Sequence, residues 1–399
     1  MAATVPGRSS SGINAVRPGR TRMLNYDVGL VVAISAVVLF GLVMVYSASV
    51  ALADGPRFEF GRQYFLIRHT VFLTAGLLIG AFVFSLSMAT WQRLAMPLFL
   101  GALGLLVIVL IPGIGREVNG AYRWLPLGFG INLQPSEVMK FAAVVYAADY
   151  TVRKQEHMQT FFKGFLPLAF AMGAAGVLLL LEPDLGAFVV IVAIMMGIMF
   201  LGGVSGRLFG GLTVLMVSVF LLLIWTSPWR RARLFAYLDP WHEDYVLGKG
   251  YQLSHSLIAL GRGEWTGVGL GGSVEKLHYL PEAHTDFILA VIGEELGFVG
   301  VLCVMLVFAF IVRRAFEIGR QAIAMDRTFS GLIAMGVALW IGVQCFIHMG
   351  VCLGLLPTKG LTLPLVSYGG SGLIANLCAV GLLLRVDFEN RVLMRGGRP

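Results

Sequence analysis

The stretch Tyr279-Leu-Pro-Glu-Ala-His-Thr-Asp286 runs straight into an apolar segment, Ile288 to Val312. Glu282, His284 and Asp286 can all move protons, and His278 lies just upstream. A carboxylate at the mouth of an apolar helix is costly to bury, which makes it a candidate functional group. Ionised, Asp286 could serve as a general base towards a hydroxyl. Thr285 or Asp286 could equally cap the following helix, where a side-chain oxygen accepts from orphan N–H groups and a carboxylate suits the helix dipole. The spacing leaves both readings open. His278, Glu282 and His284 match no zinc-binding spacing.

Two further stretches carry charge into apolar surroundings. Gly120-Ala-Tyr-Arg123-Trp124-Leu-Pro126 is followed by Gln134-Pro-Ser-Glu137-Val-Met-Lys140. Pro135 suits the first turn of a helix, and Glu137 and Lys140 share one helix face, so they can pair. Either this pair is a structural bridge inside a bundle, or Arg123 and Lys140 hold an anionic lipid headgroup, for which arginine's planar fork fits phosphate. The other stretch runs Leu355-Leu-Pro-Thr-Lys359-Gly-Leu-Thr-Leu-Pro-Leu-Val-Ser367-Tyr-Gly-Gly-Ser371-Gly372. Its prolines and glycines exclude a continuous helix, and irregular backbone at membrane depth is tolerated only against protein or a cavity. Lys359 and the hydroxyl residues could line such a cavity. A plain loop, with Gly369, Gly370 and Gly372 packed on a neighbouring helix, fits the same pattern.

Lesser features have blander readings. Glu182-Pro-Asp184 reads as a tight outer turn. Glu294 and Glu295, inside an apolar helix, need partners or protonation. Gln344 and His348, four apart, read as a pair satisfied between helices. The motifs GxxxxGK[ST], HExxH and GxSxG are absent, so ATP-driven transport and the common hydrolases lose support.

These residues must be positioned by membrane helices. The chain has 399 residues, 57% hydrophobic and 13% charged, with a mean hydropathy of +0.82. A spanning helix needs roughly 20 mostly apolar residues. About ten such spans are expected, at residues 27–48, 69–87, 95–112, 134–151, 165–181, 186–204, 208–226, 286–312, 328–352 and 367–386. The fold class is therefore an all-α integral membrane protein, and β-barrel alternation is missing. The net charge of +8 follows from basic residues gathered in cytoplasmic loops and calls for no nucleic acid. The four cysteines, Cys303, Cys345, Cys352 and Cys378, lie in apolar segments without a CxxC pair, so neither disulfides nor zinc is expected.

Arg93, Arg153, Lys154, Arg207, Arg313, Arg314 and Arg327 fall in the short loops that share a side with both termini. The richer side is cytoplasmic, so both termini are expected inside. The long loop 227–285, and Asp286 with it, then falls outside. That loop carries Arg230, Arg231 and Arg233 among Trp229, Phe235 and Trp241, which suits a helix lying at the headgroup level. Residues 1–26 are expected to be a disordered cytoplasmic arm without a signal peptide, residues 27–391 a polytopic membrane domain, and 392–399 a cytoplasmic tail. No internal repeat is evident, which disfavours an inverted-repeat transporter.

Several blocks in order carry a resemblance: NGAYRWLPLG (119–128), QPSEVMK (134–140), LEPDLG (181–186), GKGYQLSHSLIALGRG (248–263), GVGLGGSVEKLHYLPEAHTDFILAVIGEELG (267–297) and GLLPTKGLTLPLVSYGGSG (354–372). Together they resemble the SEDS family (shape, elongation, division and sporulation), the polytopic peptidoglycan polymerases. The wording LPEAHTDF with IGEELG is more similar to the division member than to the elongation member.

The resemblance implies the SEDS fold and a glycosyltransferase acting on Lipid II at the outer face of the bacterial cytoplasmic (inner) membrane, at the division septum. It implies that Asp286 is the catalytic carboxylate. It also implies that Arg123, Glu137, Lys140, Lys359 and Ser367 lie in or near one cavity. Trp124, Gln134, Glu282, His284 and Ser371 complete the candidate substrate-binding set. The implied partners are the class B penicillin-binding protein FtsI, the division proteins FtsQ, FtsL, FtsB and FtsN, and membrane lipids. No resident metal is expected; a divalent cation, Mg or Mn, at the diphosphate is the one cofactor considered. Two alternatives remain: a flippase of lipid-linked precursors, with Glu137, Lys140, Glu294 and His348 in proton coupling, and a scaffold that only recruits the crosslinking enzyme.

Overall fold

Lipid offers no partners to backbone amides, so a spanning chain satisfies them within helices. The computed structural model describes residues 26–52, 61–118, 120–128 and 131–397. The expected N-terminal arm lies almost wholly outside the described residues. The helices are α1 (Val28–Ser49), α2 (Tyr64–Ser85), α3 (Met88–Val109), α4 (Pro135–Arg153), α5 (Leu166–Leu181), α6 (Leu185–Leu201), α7 (Gly206–Trp225), α8 (Pro228–Leu238), α9 (Glu243–Val246), α10 (Tyr251–Gly263), α11 (Ile288–Ala324), α12 (Thr328–Cys352) and α13 (Gly370–Met394). Each apolar stretch expected to span forms one of them.

Among the described residues, seven helices are long and apolar enough to cross a membrane. The chain is a multi-pass membrane protein. α6 and the apolar part of α7 (Gly206–Leu222) are shorter, and α4 carries Glu137, Lys140, Asp149 and Arg153. Yet α4 is almost entirely buried. It packs against α3, α6 and α12, so protein surrounds Glu137, Lys140 and Asp149, while Arg153 at its end is exposed. α12 packs on α11, and α2 on α13.

One segment departs from the all-helical expectation. Residues 116–133 hold a small antiparallel sheet in the order β1 (Arg116–Val118), β2 (Ala121–Gly128), β3 (Ile131–Leu133). Gly120 with φ 75° and Gly128 with φ 88° supply the left-handed conformations that tight strand connections require. This sheet presents Arg123.

α11 is broken at Gly297, with φ 67° and ψ −167°. The break is closed by the segment after α10. Val268 N donates to Glu294 O at 3.0 Å, Gly269 N to Glu295 O at 3.0 Å and Phe298 N to Glu264 O at 2.9 Å. A Cβ on Gly267 would sit 2.2 Å from Glu295 O, and one on Gly297 2.4 Å from Gly267 N. Only glycine permits this approach.

The two glutamates at the break have found partners. Glu294 accepts from Arg262 at 2.8 Å and Val274 N at 2.9 Å, and from Ser273 Oγ. Glu295 pairs with Lys276 at 2.6 Å and accepts from Ser47 Oγ at 2.7 Å. Both carboxylates therefore pin the long loop to the membrane helices. At the opposite end of the bundle, Asp27 pairs with Arg314 and Arg391, Asp387 with Arg391, and Glu389 with Arg327 and Arg385.

Removing one partner of a buried ion pair leaves the other charge uncompensated, at about 3–5 kcal/mol. Lys276→Met is expected to lower the thermal unfolding midpoint in detergent clearly. An unchanged midpoint would show that Ser47 alone suffices for Glu295.

Candidate active site

Four irregular segments meet at the end of the bundle away from the Asp27–Asp387 cluster: β2, the 182–184 turn, residues 278–287 and residues 353–369. The last two are stitched together. Ser367 Oγ donates to Thr285 O at 2.7 Å and accepts from Leu363 N at 2.8 Å, and Tyr368 N donates to His284 O at 3.0 Å. The loop reading of 353–369 therefore gains a specific role: it is the wall of the Asp286 segment. Its positive-φ Leu365 and that segment's Glu282 and His278 hold backbone conformations that cost of order 1–3 kcal/mol each.

Asp286 precedes the first turn of α11 and makes no capping bond to it. The capping alternative fails because Phe287 stands at that position. Asp286 is half-buried, and its Oδ2 lies against Gly360, where an added Cβ would come within 2.9 Å. Lys359 is the next residue and is itself half-buried. Enclosure by protein pushes the Asp286 carboxyl up to about 7, helped by the charges of Glu282 and Asp184 and opposed by Arg123. A carboxyl poised near neutrality suits a general base better than one at its ordinary value.

Arg123 is held by backbone. Its Nε donates to Glu182 O at 2.9 Å and an Nη to Pro183 O at 2.6 Å. Trp124, next along the strand, projects to the other side. The turn is anchored in turn by Asp184, which caps α6 through Ala187 N at 3.0 Å and accepts from Ser136 Oγ at 3.1 Å and Gln134 Nε2 at 3.2 Å. Gln134 N donates to Ser371 Oγ at 3.2 Å. Gln134 and Ser371 thus join the α4 and α13 starts beside the site.

Lys140 lies elsewhere. It is fully buried, with its Nζ 2.8 Å from Glu137 Oε1 and 2.9 Å from Gln344 Oε1, above the Trp340 ring. Gln344 continues to Thr362 O at 2.9 Å. Of the two readings of the Glu137–Lys140 pair, the geometry favours the structural bridge. It carries α4 and α12 to the back of the 353–369 wall, and it leaves Lys140 no access to a headgroup. His284 is wedged between Phe65 and Tyr368. Burial lowers its pKa, against the charge of Glu282. Among the described residues no three His, Cys, Asp or Glu side chains converge as a metal site.

Comparison with known proteins identifies the family. The FtsW/RodA/SpoVE family model, described as cell cycle protein, matches residues 28–392. This chain belongs to the FtsW/RodA/SpoVE family. A Burkholderia thailandensis relative named "Probable peptidoglycan glycosyltransferase FtsW" is 64% identical over 98% of this chain and 85% of its own length. A Polynucleobacter necessarius relative of the same name is 57% identical over 97% and 91%. Among solved structures, a peptidoglycan synthase complex described as coordinating polymerization and crosslinking matches with TM-score 0.72 and 30% identity over 92% of this chain and 99% of that one. The Thermus thermophilus rod shape determining protein RodA matches with TM-score 0.64 and 30% identity over 92% and 98%. The SEDS resemblance and fold therefore hold.

Two groups near this constellation are not singled out by the residues alone. Glu182, taken for part of a plain turn, is fully buried. Arg233 of α8, taken for a headgroup-level residue, feels the charge of Arg123. The LEPDLG block was the available signal for the first; an amphipathic helix conceals the second.

A carboxyl whose folded pKa exceeds its unfolded value stabilises the fold at low pH and loses that contribution as pH rises through the folded value. For Asp286 the loss runs from 3.8 to about 7. Asp286→Asn is therefore expected to raise the thermal midpoint more at about pH 8 than at about pH 5. Equal shifts at both would show an ordinary carboxyl.

Proposed function

We propose that this chain is a peptidoglycan glycosyltransferase that polymerises Lipid II into glycan strands at the division septum. The observation that carries the reading is a half-open carboxyl poised near neutrality, Asp286, within electrostatic reach of the backbone-held Arg123. The relatives' printed name and the solved synthase complex support it.

In the reaction, the 4-hydroxyl of an incoming GlcNAc attacks the anomeric carbon of a strand held on undecaprenyl pyrophosphate. The C–O bond to the diphosphate breaks, and Asp286 takes the hydroxyl proton as the new glycosidic bond forms. Such a base contributes typically about 10²–10⁴-fold. The diphosphate is already a weak base and needs no acid; it needs cations as charge develops. Arg123 and Lys359 serve there. Trp124, Gln134, Glu282, Ser367 and Ser371 shape the pocket, and His284 supports it from behind. Lys140 and Glu137 act indirectly, through Gln344 and the 353–369 wall. Cleavage of the activated donor drives the step without ATP.

We read α1–α7 and α11–α13 as ten spans, with 227–285 outside. The Arg-rich cluster around Asp27 and Asp387 supports cytoplasmic termini. A class B penicillin-binding protein, FtsI, is the proposed crosslinking partner, with FtsQ, FtsL, FtsB and FtsN as regulators. The flippase alternative gains less, because its coupling groups are fixed: Lys140 on Glu137 and Gln344, His348 on Leu361 O at 2.7 Å, Glu294 on Arg262.

Asp286→Ala is expected to fold and to lose at least about 10²-fold in strand synthesis from Lipid II, scored on gels with purified protein and partner. Undiminished polymer would remove Asp286 from the reaction. Glu282→Gln removes a charge that raises the Asp286 pKa, so the acid limb of the rate profile should move to lower pH. A limb that stays put would place Glu282 outside its reach.

A further inference from the structure

α12 carries Gln344 and His348 one helical turn apart on one face, and both are buried. That face holds successive carbonyls of the 353–369 wall. Gln344 Nε2 donates to Thr362 O at 2.9 Å, and His348 Nδ1 donates to Leu361 O at 2.7 Å. A carbonyl only accepts, so the proton of the neutral imidazole sits on Nδ1 and Nε2 is left an acceptor. Nε2 lies 3.7 Å from the Cys352 thiol, which lies 3.7 Å from Asp286 O. Ser256 Oγ steadies Cys352 from α10, donating to its carbonyl at 2.8 Å. One imidazole thus backs two segments, and those segments meet at the Asp286 carboxyl. On the wall, Leu361 N donates to Lys359 O at 3.0 Å, closing a three-residue turn centred on Gly360. A Cβ on Gly360 would sit 2.9 Å from Asp286 Oδ2, and the three atoms nearest to it all belong to that carboxyl. Gly360 is exposed and not left-handed, so neither packing nor backbone geometry demands glycine there; the carboxyl does.

We propose that His348 is a positioning residue for the glycosyl transfer: through Leu361 O it holds the Gly360 turn, and through Cys352 the Asp286 backbone, at the spacing in which the carboxylate meets the sugar hydroxyl. This rests on the glycosyltransferase reading and gives a role to a buried His that the reaction itself does not use. His348 touches neither the Asp286 carboxyl nor the cleft in front of it; its influence runs through the two segments it joins. Asp286 stands on one of them and Lys359 on the other, so base and cation are set by the same anchor. Gln344 repeats the hold one residue further along the wall. Misplacing a reacting group by about 1 Å costs up to about 10²-fold in rate, which is the scale on which such an anchor acts.

The test is steady-state polymerisation of Lipid II by purified protein and partner. His348→Leu keeps a similar volume and loses both polar arms; it is expected to lower kcat about 10²-fold while KM changes less than about twofold. His348→Asn, whose amide can stand where Nδ1 stands, should win back about tenfold of that loss. A wild-type kcat in His348→Leu, or a His348→Asn no better than His348→Leu, overturns the proposal. If His348→Leu does not fold, Gly360→Ala on the exposed rim takes its place in the kinetics: its Cβ displaces the carboxyl, so kcat should fall at least about tenfold, and an unchanged kcat counts against the anchor. A second measurement needs no turnover. The wall keeps water from the Asp286 carboxyl, and the charges acting on that carboxyl, Glu282, Asp184 and Arg123, stay in place when His348 is replaced. The excess gain in thermal midpoint from Asp286→Asn at about pH 8 over about pH 5 should therefore shrink in the His348→Leu background, and an undiminished excess refutes the positioning role. Should wild type make no polymer, the glycosyltransferase reading fails, and this comparison still decides whether His348 sets the carboxyl.

Discussion

Ionising a carboxyl beside packed protein is costly, and Asp286 is kept at the margin where that cost is nearly balanced. Enclosure and the neighbouring acids raise its pKa; Arg123 pulls it back. The balance depends on where Arg123 stands, and Arg123 stands where two backbone carbonyls hold it. Those carbonyls belong to a turn fixed by Asp184, which also ties down Gln134 and Ser136 at the start of α4. The small sheet, the turn and three helix ends are therefore one device for setting a single electrostatic distance.

A second constraint acts from the membrane side. Irregular backbone near lipid must find its partners in protein, and the described residues show three such places. The wall 353–369 bonds to residues 284 and 285. The break in α11 bonds to residues 264–269. The long loop is tied by Glu294 and Glu295. Each solution joins segments distant in sequence, so the site's rigidity and the satisfaction of its backbone have the same cause.

Legibility in the sequence follows from this. Helix positions were readable because a spanning segment writes its apolar length locally. The kink at Gly297 was not, since an isolated glycine looks the same whether or not another stretch of backbone leans on it. The sheet at 116–133 was hidden because short strands carry little periodicity. Asp286, Arg123 and Lys359 stood out as charges at apolar boundaries. Glu182 did not, because a turn at the end of an apolar helix is the ordinary place for an acid, and only packing reveals that it points inward.

Burial also separates charges that the sequence treats alike. Arg123 and Lys140 are both cations bordering apolar segments near one another in the chain. Lys140 lies one helical turn inside α4, where Glu137, Gln344 and the Trp340 ring surround it and no solvent reaches it. Its charge is already matched, so its work is to hold helices in register. Arg123 sits on a strand outside the bundle, with its donors only partly taken up by neutral carbonyls. A carbonyl orients a guanidinium without cancelling its charge. The same residue can thus be immobilised and still attract an anion, which a carboxylate partner would have prevented; Lys140, matched by Glu137, has no such charge to offer.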